Sequence, residues 1–349
     1  MLEQFTVENF KGFEKLTLDD LGHINIFVGK NNTGKTSLLQ AIGYSSLKEE
    51  SNYNLAARLI ALLFGINTVS YPPAIPAFLN TINVDNGSKK TVCSFLDSNE
   101  DIKTQFEIEV NQQFFNDFNI DLKVNSISQK GNKHNKRVEN FEVKQNSHVT
   151  FQFDLYHMPL FIFANHILLK HFSIYNYSQM IREGTFYKVI ELLQNLDSRL
   201  KNLIPLASDD MVCDVGMSKP IPLDNMGDGF LKLFAFACLL NQKFPLVLID
   251  EPENGLHYSA QKQFWGMLSD ACLNNGKQSF IATHSYELLE SLNTLLNDNP
   301  DLTKPKEEGG QGLKVRVYEL QRVGEHLQVV KIDQEVMSIL IKHGSDFRG

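Results

Sequence analysis

The apolar positions of this chain follow two different periods, and the changes between them mark its elements. Phe5-Thr6-Val7 and Leu16-Thr17-Leu18 alternate apolar and polar residues around Lys11-Gly12, which predicts two short antiparallel strands. Ile24–Val28 reads as a continuous apolar strand, the pattern of a strand buried on both faces. Helical spacing follows from Lys35 to about Tyr44 and again over Asn54–Phe64. Leu59–Val84 holds no charge, but Pro72, Pro73 and Pro76 interrupt it. It therefore reads as a short buried helix and a loop, not as a membrane span.

From Asp85 the pattern changes. Ile102–Val110 and Val149–Leu155 alternate as half-exposed antiparallel strands do. Gln129–Arg137 between them is basic and contains Gly and Asn. It reads first as a mobile, solvated loop, with a nucleic-acid or partner contact as the sharper alternative; no aromatic residue interleaves it to stack bases. Leu160–Ala164 predicts a buried strand and Ile167–Ile181 a helix. Phe186, Val189, Ile190, Leu193, Leu196 and Leu200 fall on one helical face. Met211–Val215 and Lys219–Leu223 flank Gly216-Met217-Ser218 as a hairpin.

Beyond Asn225 helices and strands alternate. Helices are predicted at Phe230–Asn241, His257–Asn275 and Tyr286–Leu296, and strands at Pro245–Ile249 and Gln278–Ala282. A polar linker, Asn297–Gly312, leads to a closing hairpin at Val315–Leu320 and Leu327–Ile332 and a terminal helix at Gln334–Ile341. This order predicts an α/β fold with a mixed or parallel core sheet. Residues 1–84 and 216–349 build the core, and 85–215 form an inserted lobe of antiparallel strands and helices.

Composition narrows the possibilities. The 349 residues suffice for one large core or two domains, and 42% hydrophobic with 21% charged residues is ordinary for a soluble globular protein. The net charge of -8 argues against general affinity for nucleic acid or an anionic membrane, though a local basic patch remains open. Cys93, Cys213, Cys238 and Cys272 show neither metal-ligand nor disulfide-framework spacing, which points to free thiols in a reducing cytoplasm. The start, Met1-Leu2-Glu3-Gln4-Phe5, lacks the features of a signal peptide.

The chemistry concentrates at three strand ends. Gly29-Lys30-Asn31-Asn32-Thr33-Gly34-Lys35-Thr36 fits G-x-x-x-x-G-K-[ST] in full, between an apolar strand and a helix that continues through Ser37. Such a loop wraps phosphate oxygens in backbone N–H groups, with Lys35 on the β- and γ-phosphates and Thr36 on Mg²⁺. A chance match in a turn is the bland alternative, and the flanking strand and helix weigh against it. Leu246-Val247-Leu248-Ile249 ends in Asp250-Glu251-Pro252; Asp250 suits a magnesium ligand and Glu251 the base that deprotonates a water. His284 follows the next strand, where ligands gather in parallel sheets. Asn225-Met226-Gly227-Asp228-Gly229 opens a helix. It is either a simple cap with Asp228 as capping residue or a second anion-binding helix start supplied to another subunit.

This ordered set, with Phe5–Phe13 ahead of it and Glu253-Asn254-Gly255-Leu256-His257 within it, resembles the ABC-type P-loop ATPases of the SMC, RecF and OLD group. The likeness is nearest to compact ATPases encoded beside a toxin or nuclease partner in bacterial anti-phage systems. It covers 1–50 and 220–349 well and 85–215 poorly. It implies Walker A roles for Lys35 and Thr36, the magnesium role for Asp250, the catalytic-base role for Glu251 and a switch role for His284. It places Asn225 and Gly227 on the signature loop that completes the partner's site in a head-to-tail dimer, although Asn225 stands where serine is usual. The implied protein binds ATP and Mg²⁺, forms a homodimer or a higher even-numbered homo-oligomer, and controls a separate toxin or nuclease effector without touching a membrane. A RecF-like repair ATPase that binds DNA through 129–137, and an ATP-stabilised scaffold with little turnover, are the rival readings. No Asn-Lys-x-Asp motif for reading guanine is present.

Overall fold

The computed structural model describes residues 1–45, 90–97, 102–111, 120–130, 133–143, 160–162, 174, 177–206, 210–241, 245–305, 311–324, 326–333 and 336. Its first half carries β1 (Leu2–Phe10), β2 (Phe13–Leu18), β3 (Ile24–Val28), α1 (Lys35–Ser45), β4 (Lys90–Asp97), β5 (Ile102–Asn111), β6 (Ile120–Lys130), β7 (Lys133–Val143) and β8 (Leu160–Ile162). Its second half carries α2 (Tyr187–Gln194), β9 (Asn202–Pro205), β10 (Met211–Asp214), β11 (Ile221–Pro222), α3 (Asp228–Leu240), β12 (Leu246–Asp250), α4 (Tyr258–Asn274), β13 (Gln278–Ala282), α5 (Tyr286–Asp298), β14 (Val315–Val323) and β15 (His326–Ile332).

The core is a six-stranded mixed sheet in the order β15-β14-β3-β13-β12-β8. Only β14 and β15 pair antiparallel; the other four pairings are parallel. Every residue of β3 is buried, as its composition requires. Its one polar residue, Asn25, is fully satisfied: the side chain accepts from Gly22 N–H (2.8 Å) and donates to the carbonyls of Gly22 (3.0 Å) and Ser279 (3.2 Å). α3 is apolar almost all round and buries ten of its thirteen residues, so it packs inside the molecule. Trp265 of α4 is fully buried and donates its indole N–H to the Leu288 carbonyl of α5 at 2.9 Å, which fixes the two helices together.

A second, antiparallel sheet runs β2-β1-β4-β5-β6-β7, so the opening hairpin and the strands of 90–143 are one surface. The basic segment Gln129–Arg137, expected as a loop, lies instead mostly in the β6–β7 hairpin, where Lys130 pairs with Lys133 and Ser126 with Arg137. Cross-strand pairing satisfies its backbone where the sequence offers only polar side chains. The third sheet, β11-β10-β9, contains the predicted 211–223 hairpin.

The amphipathic helix expected through Leu200 stops at Gln194. Asp197 Oδ1 accepts from Arg199 N–H at 3.0 Å and turns the chain, and Leu200 stays buried without being helical. The helix at 54–64, the uncharged stretch 59–84, the strand at 149–155 and all but Val336 of the terminal helix lie outside the described residues. Among the described residues no helix is long and apolar enough to cross a membrane.

Candidate active site

The loop after β3 owes its shape to two glycines. Gly29 sits at φ 142°, and a Cβ there would lie 2.5 Å from the carbonyl oxygen of Leu320 on β14. Gly34 sits at φ 86°, and a Cβ would lie 2.9 Å from Phe13 Cζ and 3.1 Å from Leu327 Cδ1. Between them Asn32 takes φ 62°, which Asn tolerates, and the Thr33 hydroxyl donates to the Lys30 carbonyl at 2.9 Å. Leu38 N–H donates to the Gly34 carbonyl at 2.8 Å and opens α1, so the first-turn N–H groups of Lys35, Thr36 and Ser37 face the loop. Lys35 is only 7% exposed and donates to the carbonyls of Gly29 and Lys30, both at 2.8 Å. Burial lowers its pKa, against the opposing pull of Glu251, Asp250 and Glu253.

A cavity of about 610 Å³ opens along Asn31, Asn32 and Gly34–Ser37, with Glu251, Gly12, Phe13, Arg322 and Leu327 as its remaining walls. That volume falls within the range of ligand pockets, roughly 300–1,000 Å³.

Three neighbouring strand ends deliver the polar groups. Asp250 closes β12, and its Oδ2 accepts from the Thr36 hydroxyl at 2.9 Å. Burial raises the Asp250 pKa; the Thr36 bond and Lys35 pull it down, while Glu251 and Glu253 push it further up. Glu251 follows in the left-handed region at φ 48°, a strain of order 1 kcal/mol for a residue with a side chain. Its N–H donates to the Ala282 carbonyl at 2.8 Å, which extends the β12–β13 ladder by one bond. Its carboxylate has a polar neighbour on each side: Asn254 Nδ2 donates to Oε2 at 2.7 Å, and His284 Nδ1 stands 3.1 Å from Oε1. The latter is a close polar contact without hydrogen-bond alignment, since His284 Nδ1 is buried with no bonded partner. Glu253 Oε1 accepts from the Thr283 hydroxyl at 2.7 Å and lies 3.7 Å from His284 Nδ1, while its Oε2 is buried and unpartnered. Ser285 then caps α5 by accepting from Leu288 N–H at 3.1 Å.

The structure thus brings together Gly29–Ser37, Asp250, Glu251 and His284. It does not bring Asn225 and Gly227 to them: neither lines the cavity. Asn225 lies in a 3₁₀ turn, Leu223–Met226, and Gly227 at φ 89° caps α3 with open space where a Cβ would stand. Asp228, the capping residue in the simpler of the two sequence readings, is instead the first helical residue, and no side chain caps this end.

The resemblance puts Asn254–His257 on a segment that crosses the dimer interface, whereas in the structure Asn254 bonds Glu251 of its own chain; Glu253, Arg322 and Lys232 carry no role in the sequence reading. Lys232 left a readable signal, as the only charge in the apolar run Phe230–Leu240. Among the described residues no group of three or more His, Cys, Asp or Glu gathers as a metal site. Thr36 and Asp250 offer two adjacent oxygens, a donor set that fits Mg²⁺ sharing its shell with substrate phosphates and water.

Residues 24–290 match the family described as "AAA domain, putative AbiEii toxin, Type IV TA system". An ATP/GTP phosphatase of Helicobacter pylori is 22% identical over 344 residues, spanning 85% of this chain and 89% of the relative. The DNA replication and repair protein RecF of Lactobacillus acidophilus is 48% identical over 46 residues, which is 13% of this chain and 12% of RecF. A crystal structure of an SMC head bound to the C-terminal winged-helix domain of ScpA superposes with a TM-score of 0.55 at 12% identity, covering 96% of this chain and 98% of the head. The chain belongs to this AAA-domain family, and its core has the α/β fold of the SMC head.

Proposed function

We propose that this chain binds ATP with Mg²⁺ and hydrolyses it in a nucleotide-sandwich dimer whose closing and opening control a separate effector. The observation that carries the reading is the 2.9 Å bond between Thr36 and Asp250, with Glu251 held beside it by Asn254 and His284 Nδ1 standing 3.1 Å from its carboxylate. Backbone N–H groups of Gly29–Ser37 cradle the phosphates. The Lys35 ammonium exchanges the carbonyls of Gly29 and Lys30 for the more strongly accepting phosphate oxygens. Thr36 and Asp250 would hold the cation, and the chemistry it would supply there is neutralisation of phosphate charge. Glu251 accepts the proton of the attacking water, and His284 keeps the Glu251 carboxylate aimed at it.

The exposed Gly227 and Asn225, away from the cavity of their own chain, suit a role at the partner's nucleotide in a head-to-tail dimer. ATP that binds the closed dimer better than the open one drives the switch. The family's description names a putative toxin and a type IV TA system, which supports a toxin-linked setting; we extend this to a toxin or nuclease as effector and phage infection as the trigger. The Helicobacter relative's name supports triphosphate hydrolysis. The ScpA complex of the SMC head supports a second polypeptide docked on this fold.

The test is Glu251→Gln. Turnover should drop by about 10²–10⁴-fold with ATP still bound. Native mass spectrometry of that variant, purified from its host with neighbouring genes present, should give an even-numbered assembly with two ATP per dimer and a second polypeptide. A parental hydrolysis rate overturns the base assignment, and a nucleotide-free monomer overturns the dimer.

One observation favours a second reading. The β6–β7 hairpin gathers Lys130, Lys133, Lys136 and Arg137 near one tip, a shape suited to a DNA backbone. Steeply salt-dependent DNA binding, lost when these four residues are neutralised, would select a RecF-like role.

A further inference from the structure

Lys232 is 4% exposed and lies inside α3, where every other side chain from Phe230 to Leu240 is apolar. A buried ammonium carries a desolvation penalty, and a Met or Leu of similar volume fills such a site as well or better. Its charge therefore serves something other than packing.

The amine donates to the backbone carbonyl of Asn254. The side-chain amide of that same Asn254 donates to Glu251 Oε2 at 2.7 Å. Two bonds thus connect α3 to the carboxylate beside the phosphate loop. The first turn of α3 also runs close to this segment, since a Cβ built on Gly229 would lie 3.6 Å from the carbonyl oxygen of Gly255, next to Asn254. Burial lowers the Lys232 pKa to about 8, and Glu253 and Glu251 act in the opposite sense, holding the charge in place. The cap of α3 is Gly227. A helix is stiff over one or two turns, so a displacement of the Asn225–Gly227 loop moves Lys232 with it.

We propose that Lys232 is a positioning residue that ties the Asn225–Gly227 loop to the Glu251 carboxylate through Asn254, so that engagement of the loop by a second subunit sets the aim of Glu251. This rests on the reading of Glu251 as the base. The loop is a distant lever on a residue whose backbone already sits at φ 48° and whose carboxylate loses a hydrogen bond when Asn254 moves away.

The experiment compares Lys232→Met, Lys232→Arg, Asn254→Ala and Glu251→Gln for ATP affinity, kcat and thermal midpoint. Lys232→Met should lower kcat by about 10–100-fold with ATP affinity unchanged, because a small misplacement of a catalytic group is enough for such a loss. Its melting temperature should hold or rise, since a buried charge has been removed. Lys232→Arg should restore most of the rate. Asn254→Ala, at an exposed position, should reproduce the defect, and the Lys232→Met/Asn254→Ala double variant should lose no more than the worse single. A merely structural lysine predicts the opposite, with kcat, ATP affinity and melting temperature falling together. That pattern, or a parental kcat in Lys232→Met while Glu251→Gln is inactive, overturns the proposal. A parental rate in Glu251→Gln overturns the base assignment itself, whatever Lys232 does. If Lys232→Met does not fold, a parental kcat in Asn254→Ala overturns the link alone.

Discussion

Replacing Gly29 by Ala tests how far the loop depends on β14. The new Cβ would sit 2.5 Å from the Leu320 carbonyl oxygen and 3.1 Å from Thr33 Oγ1. The oxygen belongs to a strand paired with β3 over Val315–Glu319 and with β15 over Val317–Val323, where Leu320 faces Val329, so it cannot retreat without disturbing the sheet. A φ of 142° adds backbone strain of about 1–3 kcal/mol for a residue with a side chain. Overpacking against an immobile neighbour adds roughly 1–3 kcal/mol more. With an unfolding entropy near 2.1 cal/mol/K per residue over 349 residues, each kcal/mol shifts the midpoint by about 1.4 °C. The expected loss is roughly 3–8 °C by differential scanning calorimetry, and ATP affinity should fall by more than tenfold as the cradle opens. Gly184→Ala is the control: Gly184 also has positive φ, 71°, but nothing lies within 4 Å of its Cβ position, so it carries the strain without the clash. Equal melting shifts for the two variants, or parental ATP binding by Gly29→Ala, would refute the argument that β14 shapes the loop.

Three further outcomes are expected. Burial lowers Lys277, only 2% exposed, to about pKa 8, so between that pH and roughly 10.4 the unfolded chain binds more protons at this lysine and its contribution to stability rises with pH; in urea titrations the parent should gain on Lys277→Met over that range. Burial pushes the Asp20 carboxyl up, but Lys314, Lys331 and Arg316 outweigh it and hold it well below the usual range. Asp20→Asn should therefore melt earlier than the parent at pH 7, and the gap should close as the pH falls below about 4 and then through the depressed native value. Arg322 lines the nucleotide cavity and makes no ion pair among the described residues; Arg322→Ala should weaken ATP binding several-fold by fluorescence titration with kcat preserved.

Much of this was legible in the sequence because several signals agreed there. An unbroken apolar strand, two glycines at the required spacing and a helix start all fix the Gly29–Ser37 loop. The apolar runs ending at Asp250 and before His284 fix the neighbouring strands. The β6–β7 hairpin was not legible, because Asn125-Ser126 and Asn135-Lys136 break the alternation and its order comes from cross-strand pairing. The end of α2 at Gln194 escaped because Leu196 and Leu200 keep helical spacing while a side-chain bond from Asp197 bends the backbone. The grip on Glu251 escaped because it depends on Asn254 and Lys232, 22 residues apart in sequence and joined only by the fold.

β3 lies at the centre of the core sheet, yet its two neighbours arrive late: Phe27 pairs with Ala282 and Val28 with Glu319. During synthesis at roughly 5–20 residues per second, an interval of about 15–60 s separates the making of β3 from the making of its second partner. For that time both apolar faces of the strand and its backbone lack their partners, and the wall that bends Gly29 does not yet exist. The nascent N-terminal segment is therefore a natural client for holding chaperones. A chain cut short before β14 carries the whole phosphate-binding motif but not the shape that lets it hold a phosphate, so only finished chains acquire the nucleotide site.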